Sequence, residues 1–582
     1  MKIVGADSEI PNINKYIIVY KYIYKYIIVA VGTNKCFFLL FQTGHCRLTL
    51  CVFIVRIGKY IKSRDEASAV TPSGQFKGIM DVTRRGRQFE SYRGIRYAEP
   101  PVGNLRFQPP KLMVKYDGVV NATAEGPYCP QPTEPGTYVD EDCLTINVHT
   151  PVKSPLPVIV YMHSGGFYAG SGRSDIAGPH YLLDRDVVLA TINYRLGSLG
   201  FLSTGDELAP GNNGFKDQVA ALRWVRDNIA GFGGDPHSVT ITGCSAGASS
   251  VMLHMISPMS EGLFHRAISM SWSPVDKAPL RSDMNDLAVK QARLLNCPTD
   301  SSKAIIDCLK TKSFAVSEFA YDPIGIWLPI IEKDFGQERF LTMQPLDAIK
   351  EGKIHAVPYI ISQTKDEFFW KAYTILENST LTNQMNEEWD RVAPIAFMLP
   401  TTNRNNAVRQ LKQAYLHDKP LTNSTESADG LGKLYGDSVI GFSVHRLANL
   451  MSRHSGQPVW YAEFDYTGNH SHYENPVTKK PTGAAHHDDL IYIFSLRAVF
   501  PDIGRVGPDA EMVDRMTALW YNMARYGDPN PRGDQPELKG VHWPRMTPQK
   551  RTYLSLDKTF SLRENLKEDR FQVWEKLYPI SY

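Results

Sequence analysis

No stretch of this sequence is apolar for the ~18 to 20 residues that a membrane-spanning helix needs. Nor is there an excess of charge of either sign. Across 582 residues, 64 Lys and Arg face 61 Asp and Glu, a net charge of +3. That balance, with no basic stripe, excludes a nucleic-acid-binding surface as the main business of the chain. Cysteine is sparse, with eight residues. None of them forms a CxxC pair or a Cys/His cluster with zinc spacing, so no metal site and no cofactor is expected. Internal repeats at solenoid or propeller periods are lacking too. What remains is ordinary globular composition, 43% hydrophobic and 21% charged, with enough apolar material for a large core.

Residues 1–65 differ from the rest. The run KYIIVYKYIYKYIIV is biased to Lys, Tyr and Ile, and FFLLF and LCVFIV follow with Lys, Arg, Gln and His between them. There is no basic start, apolar run and small-residue cleavage site in the order a signal peptide requires. The segment reads as a signal or anchor remnant, a low-complexity extension, or a gene-model artefact. The artefact is favoured, because A/T-rich codons encode these residues. From about Val70 the chain is uniformly globular and is expected to be one domain, 70–582. The end, PISY, carries neither a retention tetrapeptide nor a hydrophobic tail for a lipid anchor.

The cysteines of this globular part fall as Cys129 and Cys143, Cys297 and Cys308, and a solitary Cys244. That placement suggests two local disulfides and one free thiol, against the alternative of reduced cytosolic thiols. Four Asn-x-Ser/Thr sequons stand at Asn121, Asn378, Asn423 and Asn469. Together with paired cysteines they point to an oxidising, secretory route and a secreted glycoprotein.

Continuous apolar runs at Val158–Met162, Val187–Tyr194, Val239–Gly243 and Val357–Ile361 predict strands covered on both faces. Between them, Phe215, Val219, Leu222, Val225 and Ile229 fall on one helical stripe over 215–229, ended by the glycines of FGGDP. Strand, helix and strand in this order predict a large, mostly parallel sheet with helices on both faces, an α/β fold.

Gly243-Cys244-Ser245-Ala246-Gly247 follows the strand VTITG and opens the helical run ASSVMLHMI. A G-x-S-x-G sequence in that setting reads as a nucleophile elbow, whose flanking positions must lack bulky side chains. The bland alternative is a Gly/Ser turn. About 80 residues earlier, His163-Ser164-Gly165-Gly166-Phe167 follows the strand VIVYM. Such a Gly-rich loop suits backbone N–H groups that hold an oxyanion.

At this point the chain resembles the type-B carboxylesterase and cholinesterase family from about residue 70 to the end. The resemblance is carried by YAEPPVGNLRF (97–107), EDCLTINVHTP (141–151), NYRLGSLGFLS (193–203), GNNGFKDQVAALRWVRDNI (211–229) and the elbow. Within the family the sequence looks most like the insect venom carboxylesterases. The resemblance implies an α/β-hydrolase fold and a serine carboxylesterase. It implies a triad of Ser245, Glu367 and His486, with Asp366 and His487 as rivals one position away. It implies an oxyanion hole of Gly165, Gly166 and Ala246. It also implies the disulfides Cys129–Cys143 and Cys297–Cys308, and Arg195 with Asp217 as a structural ion pair. The substrate would be a small ester, and the oligomeric state is left open.

Three departures stand out. Cys244 precedes the nucleophile where most of the family carries glutamate, and is read as a buried small hydrophobe. Ser164 replaces the first of three glycines. Phe368 follows Glu367 where the family usually has glycine. The segment 130–142 holds no tryptophan to stack on choline, which argues against acetylcholine. The residue before the nucleophile is not the glutamine usual among juvenile hormone esterases, which argues against that hormone. The region 321–331 is expected to shape an acyl pocket, with Trp272, Trp327 and Phe368 as walls. Two other functions stay open at this level: a catalytically silent adhesion protein, which would typically have lost Ser or His, and a lipase.

Overall fold

The computed structural model describes residues 66–582 apart from 152–153, 314–326 and 476, together with the backbone of three earlier strands. Residues Met1–Asp65 and Glu66–Tyr582 form two separate units. In the first, β1 (Tyr26–Ala30), β2 (Cys36–Leu40) and β3 (Cys51–Val55) pair antiparallel. The rest of residues 1–65, on which the readings as signal, extension or artefact fall, lies outside the described residues.

The second unit is built on one sheet. Its strands are β4 (Glu66–Thr71), β5 (Gly74–Val82), β6 (Gln88–Arg96), β7 (Val119–Asn121), β8 (Thr145–Thr150), β9 (Leu156–Met162), β10 (Val188–Ile192), β11 (Gly234–Cys244), β12 (Arg266–Met270), β13 (Tyr359–Thr364), β14 (Val459–Phe464), β15 (Thr552–Leu556) and β16 (Ser561–Glu564). The spatial order is 16-15-14-13-12-11-9-10-8-6-5-4, with β7 beside β5. Pairing from β10 through β15 is parallel, and the outer pairs are antiparallel except that β7 runs parallel to β5. The first strand begins at Glu66, four residues ahead of the expected boundary at Val70.

The four predicted strands are present as β9, β10, β11 and β13, and each explains its apolar run by two-sided burial. Along β9, Val158, Val160 and Met162 enter one core while Ile159 and Tyr161 enter another. The same alternation separates Val459 and Tyr461 from Trp460, Ala462 and Phe464 on β14. A period of two with both faces apolar is what a sheet between two helical layers requires. A third core, around Trp389, Leu411, Phe442 and Trp574, joins the helices of 370–454 to the C-terminal helix Glu568–Leu577.

The stripe reading of the helix after β10 needs one correction. Among the helices, α1 (Gly197–Phe201) is a single turn and α2 (Asn213–Asn228) is the predicted one. Nearly the whole circumference of α2 is buried, not one face. Its polar residues are paired inside: Lys216 Nζ with Glu332 at 2.6 Å, Asp217 with Arg195 at 2.6 Å, and Gln218 Nε2 with Ser250 at 3.1 Å. Partners from distant segments neutralise these groups, which no local periodicity can signal. The FGGDP turn is also tighter than expected. A 3-10 turn ends at Gly233 in the left-handed region, and β11 starts at Gly234 with a register shift before Val239.

Candidate active site

The strand order reverses around β9. From β9 the chain goes to β10 on one side and returns to β11 on the other. Loops leaving the carboxyl ends of β9 and β11 therefore diverge and leave a crevice between them, the usual ligand position in open α/β sheets.

Ser245 stands at that point, between β11 and α3 (Ala246–Ile256). Its backbone has φ 56° and ψ −119°, a conformation that non-glycine residues rarely adopt. The turn is held because Ser245 N–H donates to Met270 O of β12 at 2.8 Å. Both elbow glycines are obligatory. A Cβ on Gly243 would lie 2.4 Å from the Gly247 carbonyl, and one on Gly247 would lie 2.0 Å from Met162 O. The second contact joins the elbow to the end of β9 backbone to backbone.

The same end of β9 carries the Gly-rich loop. Gly165 has φ +114° and Gly166 φ +59°. A Cβ at Gly165 would lie 2.0 Å from Ala169 O. The loop is anchored at both ends. Tyr194 Oη donates to His163 O at 3.0 Å while its ring stacks on the His163 ring at 4.3 Å. Gln131 accepts from Gly170 N–H at 2.7 Å and donates back to Gly170 O at 2.8 Å. Gln131 sits in the segment closed by the Cys129–Cys143 disulfide. Its part in holding the loop was not legible in the sequence, because it lies 39 residues from its partner. Ala246 is the first residue of α3, where helix N–H groups have no intrahelical acceptor. Gly165 and Gly166 thus follow the end of β9, and Ala246 follows the end of β11, the strand paired with it.

Two strands along, the chain after β13 carries Asp366 and Glu367. Glu367 is buried, and its Oε2 lies 2.5 Å from Nδ1 of His486. Its Oε1 accepts from Thr364 N–H at 2.9 Å. Burial raises this carboxyl, but the charge of His486 and the bonds from His486 and Thr364 outweigh it and hold Glu367 below its ordinary value. Asp366, the rival acid, instead supports the histidine loop. Its N–H donates to Ala484 O at 3.0 Å and its Oδ2 accepts from Ala484 N–H at 3.0 Å. His487, the rival base, is half-buried, and burial of its ring with the neighbouring His486 and His472 holds its imidazole well below the ordinary range.

Asp488 pins the same loop, accepting from Ala485 N–H at 2.9 Å, Ser471 Oγ at 2.6 Å and His472 N–H at 2.8 Å. Asp489 is 2% exposed with one oxygen unpartnered among the described residues. Burial first, then Glu367 and Asp488, push its carboxyl up to about 8. Cys244 is fully buried in the core on one side of the sheet, and burial pushes its thiol up. It is therefore a neutral, small, apolar group beside Ser245.

A cavity of about 280 Å³ adjoins α3, lined by Ser249, Trp272, Met284, Leu328 and Leu399 among others. Of the three expected acyl-pocket walls, Trp272 lines it. Trp327 is buried in the core, and its neighbours Leu328 and Pro329 line the cavity instead. Phe368 packs on His486. The rest of the expected pocket region, 321–326, lies outside the described residues.

Both expected disulfides are formed, Cys129–Cys143 and Cys297–Cys308. Arg195 and Asp217 make a buried two-point ion pair that ties the strand β10 exit to α2. All four sequon asparagines are exposed. Asn469 donates its amide to Asp509 at 2.7 Å. No described helix is long and apolar enough to cross a membrane.

A profile described as "Carboxylesterase family" matches residues 65–574. The chain is 35% identical to juvenile hormone esterase of Tribolium castaneum over 79% of its own length and 84% of the relative's. It is 32% identical to venom carboxylesterase-6 of Apis mellifera, over 82% and 87% of the two chains. Its fold superposes on the crystal structure of juvenile hormone esterase from Manduca sexta, with OTFP covalently attached. The TM-score is 0.78 at 27% identity, covering 89% of this chain and all of the other.

Proposed function

The chain belongs to the carboxylesterase family, has the α/β-hydrolase fold and is a carboxylic ester hydrolase, and on that premise we propose that Ser245, His486 and Glu367 are its catalytic triad. The hydrogen bond from His486 Nδ1 to Glu367 carries this reading, because it leaves Nε2 as the basic nitrogen. His486 takes the proton of Ser245 as Oγ attacks the ester carbonyl. The N–H groups of Gly165, Gly166 and Ala246 stabilise the oxyanion that forms. The tetrahedral adduct collapses, and His486 gives its proton to the departing alcohol. Water then attacks the acyl-enzyme with His486 as base, the carboxylic acid leaves, and Ser245 regains its proton. Glu367 stays ionised throughout, stabilising the imidazolium.

The catalytic domain is residues 66–582, with 1–65 outside it. The two disulfides, which persist in oxidising compartments, support secretion, and the exposed Asn121, Asn378, Asn423 and Asn469 are the candidate glycan sites. The substrates are small carboxylic esters rather than acetylcholine, since the Cys129–Cys143 loop brings no tryptophan for a choline cation. The relatives named for juvenile hormone make that ester a candidate to assay, though Cys244 stands where glutamine is expected for it.

The test is hydrolysis of p-nitrophenyl esters of graded acyl length by the full chain, beside Ser245→Ala. Activity that disappears in the variant supports the triad. A folded wild type without activity, or an S245A enzyme that keeps it, overturns the assignment. The chain-length profile measures the cavity beside Trp272.

A further inference from the structure

Phe368 has φ +52°, although it is a bulky aromatic residue. That conformation is natural for glycine and costs an aromatic residue on the order of 1 kcal/mol. It persists because the ring is held from both sides. Phe368 lies on the His486 ring, centroids 4.9 Å apart, and stacks on Trp370 at 4.7 Å and 28°. Trp370 in turn stacks face to face on Tyr473, 3.4 Å apart and 3° from parallel. Tyr473 is fixed by its own loop, since its N–H donates to Ser471 Oγ, which bonds Asp488. An aromatic wall of three rings therefore begins at the triad histidine and runs outward. Phe368, Trp370 and Tyr473 are each half-buried, so their outer surfaces are partly open.

The side of the substrate that meets this wall follows from the chemistry. His486 delivers its proton to the leaving oxygen, so groups in contact with its ring lie along the alcohol part of the ester. The acyl part faces the oxyanion donors, and the Trp272 cavity beside α3 is the space assigned to it. Flat aromatic faces prefer flat, offset-stacked partners over bulky saturated ones.

We propose that Phe368, backed by Trp370 and Tyr473, is the specificity-determining surface for the alcohol group, and that it selects esters of planar aromatic alcohols. This rests on the triad assigned above and names the substrate class of that same site. No change in mechanism is involved; the wall acts through the fit of the departing alcohol.

Benzyl acetate and cyclohexylmethyl acetate test it. They share the acyl group, match closely in size, and release alcohols of similar acidity, so only planarity separates them. The full chain is assayed with both, as wild type, S245A, Phe368→Gly and Trp370→Leu. Glycine suits the backbone at 368, and W370L probes the wall without touching that backbone. Tm is measured for each variant. The wild type is expected to prefer benzyl acetate, and the ratio of kcat/KM values is expected to fall about tenfold in F368G and severalfold in W370L. An unchanged ratio overturns the proposal. So does an equal loss on both esters with a shifted pH profile, which would show that Phe368 only steadies His486. Loss of both activities in S245A tests the triad separately, so failure of one reading is told from failure of the other.

Discussion

Asp366 and Ala484 exchange two hydrogen bonds, N–H to carbonyl and N–H to carboxylate, each 3.0 Å long. This clasp sets the histidine loop against the end of β13 and leaves no room for a side chain on Gly483, where a Cβ would lie 2.1 Å from Asp366 Oδ2. Asp366 is thus a positioning residue, one step from the carboxylate that touches His486. Asp366→Ala is expected to lower kcat roughly tenfold through loss of a charged hydrogen bond, with KM nearly constant. Asp366→Asn, which keeps an acceptor, should recover part of it. Equal kcat in D366A and wild type would remove Asp366 from this role.

Glu367→Gln is expected to reduce kcat by about 10³- to 10⁴-fold while substrate binding holds, because the orienting charge is lost. The same group gives a pH signature. Its carboxyl is held below its ordinary 4.5 in the fold, so the stability it contributes is present above 4.5 and lost as pH falls through the lower, folded value. The Tm advantage of wild type over E367Q should therefore shrink on acidification below that point. An advantage that grows instead would contradict the sign.

Asp489 gives the opposite sign. Its carboxyl is raised from 3.8 to about 8, so the protonated acid fits the fold best at low pH, and its contribution declines as pH rises through that window. Asp489→Asn, which keeps the shape of the neutral acid, should flatten the fall in Tm between pH 4 and pH 8. Parallel Tm curves for the two proteins would show that Asp489 does not titrate there.

Gly247→Ala places a methyl 2.0 Å from Met162 O, a contact with backbone on both sides that no rotamer relieves. Loss of roughly 3 kcal/mol or more, or failure to accumulate as folded protein, is expected. A G247A protein with wild-type Tm would mean that the elbow and β9 do not abut.

Cys244 is buried and its thiol is raised, so it should resist alkylation in native protein and react only on unfolding. Peptide mapping after labelling reads this directly. Rapid labelling of Cys244 in active enzyme would show an open elbow.

Much of the site was legible because it is built from local backbone demands. The elbow glycines, the Gly165-Gly166 turn and the apolar runs of β9, β10, β11 and β13 announce themselves within a few residues. Glu367 and His486 were separable from Asp366 and His487 only by register with a known family. In the fold Asp366 bonds Ala484, and it is His486 that bonds Glu367.

The sequence by itself determined the parallel α/β architecture, the strained turn at Ser245 and the Gly165-Gly166 loop, since each depends on steric limits and periodicities that act between near neighbours. Only the tertiary structure decided that Gln131 anchors that loop, that α2 is buried all round with its charges paired, and that Phe368 joins Trp370 and Tyr473 against His486. Those contacts join residues brought together by separate strands and loops. Their energy comes from burial and pairing across the fold, and a linear pattern carries no trace of which distant partner arrives.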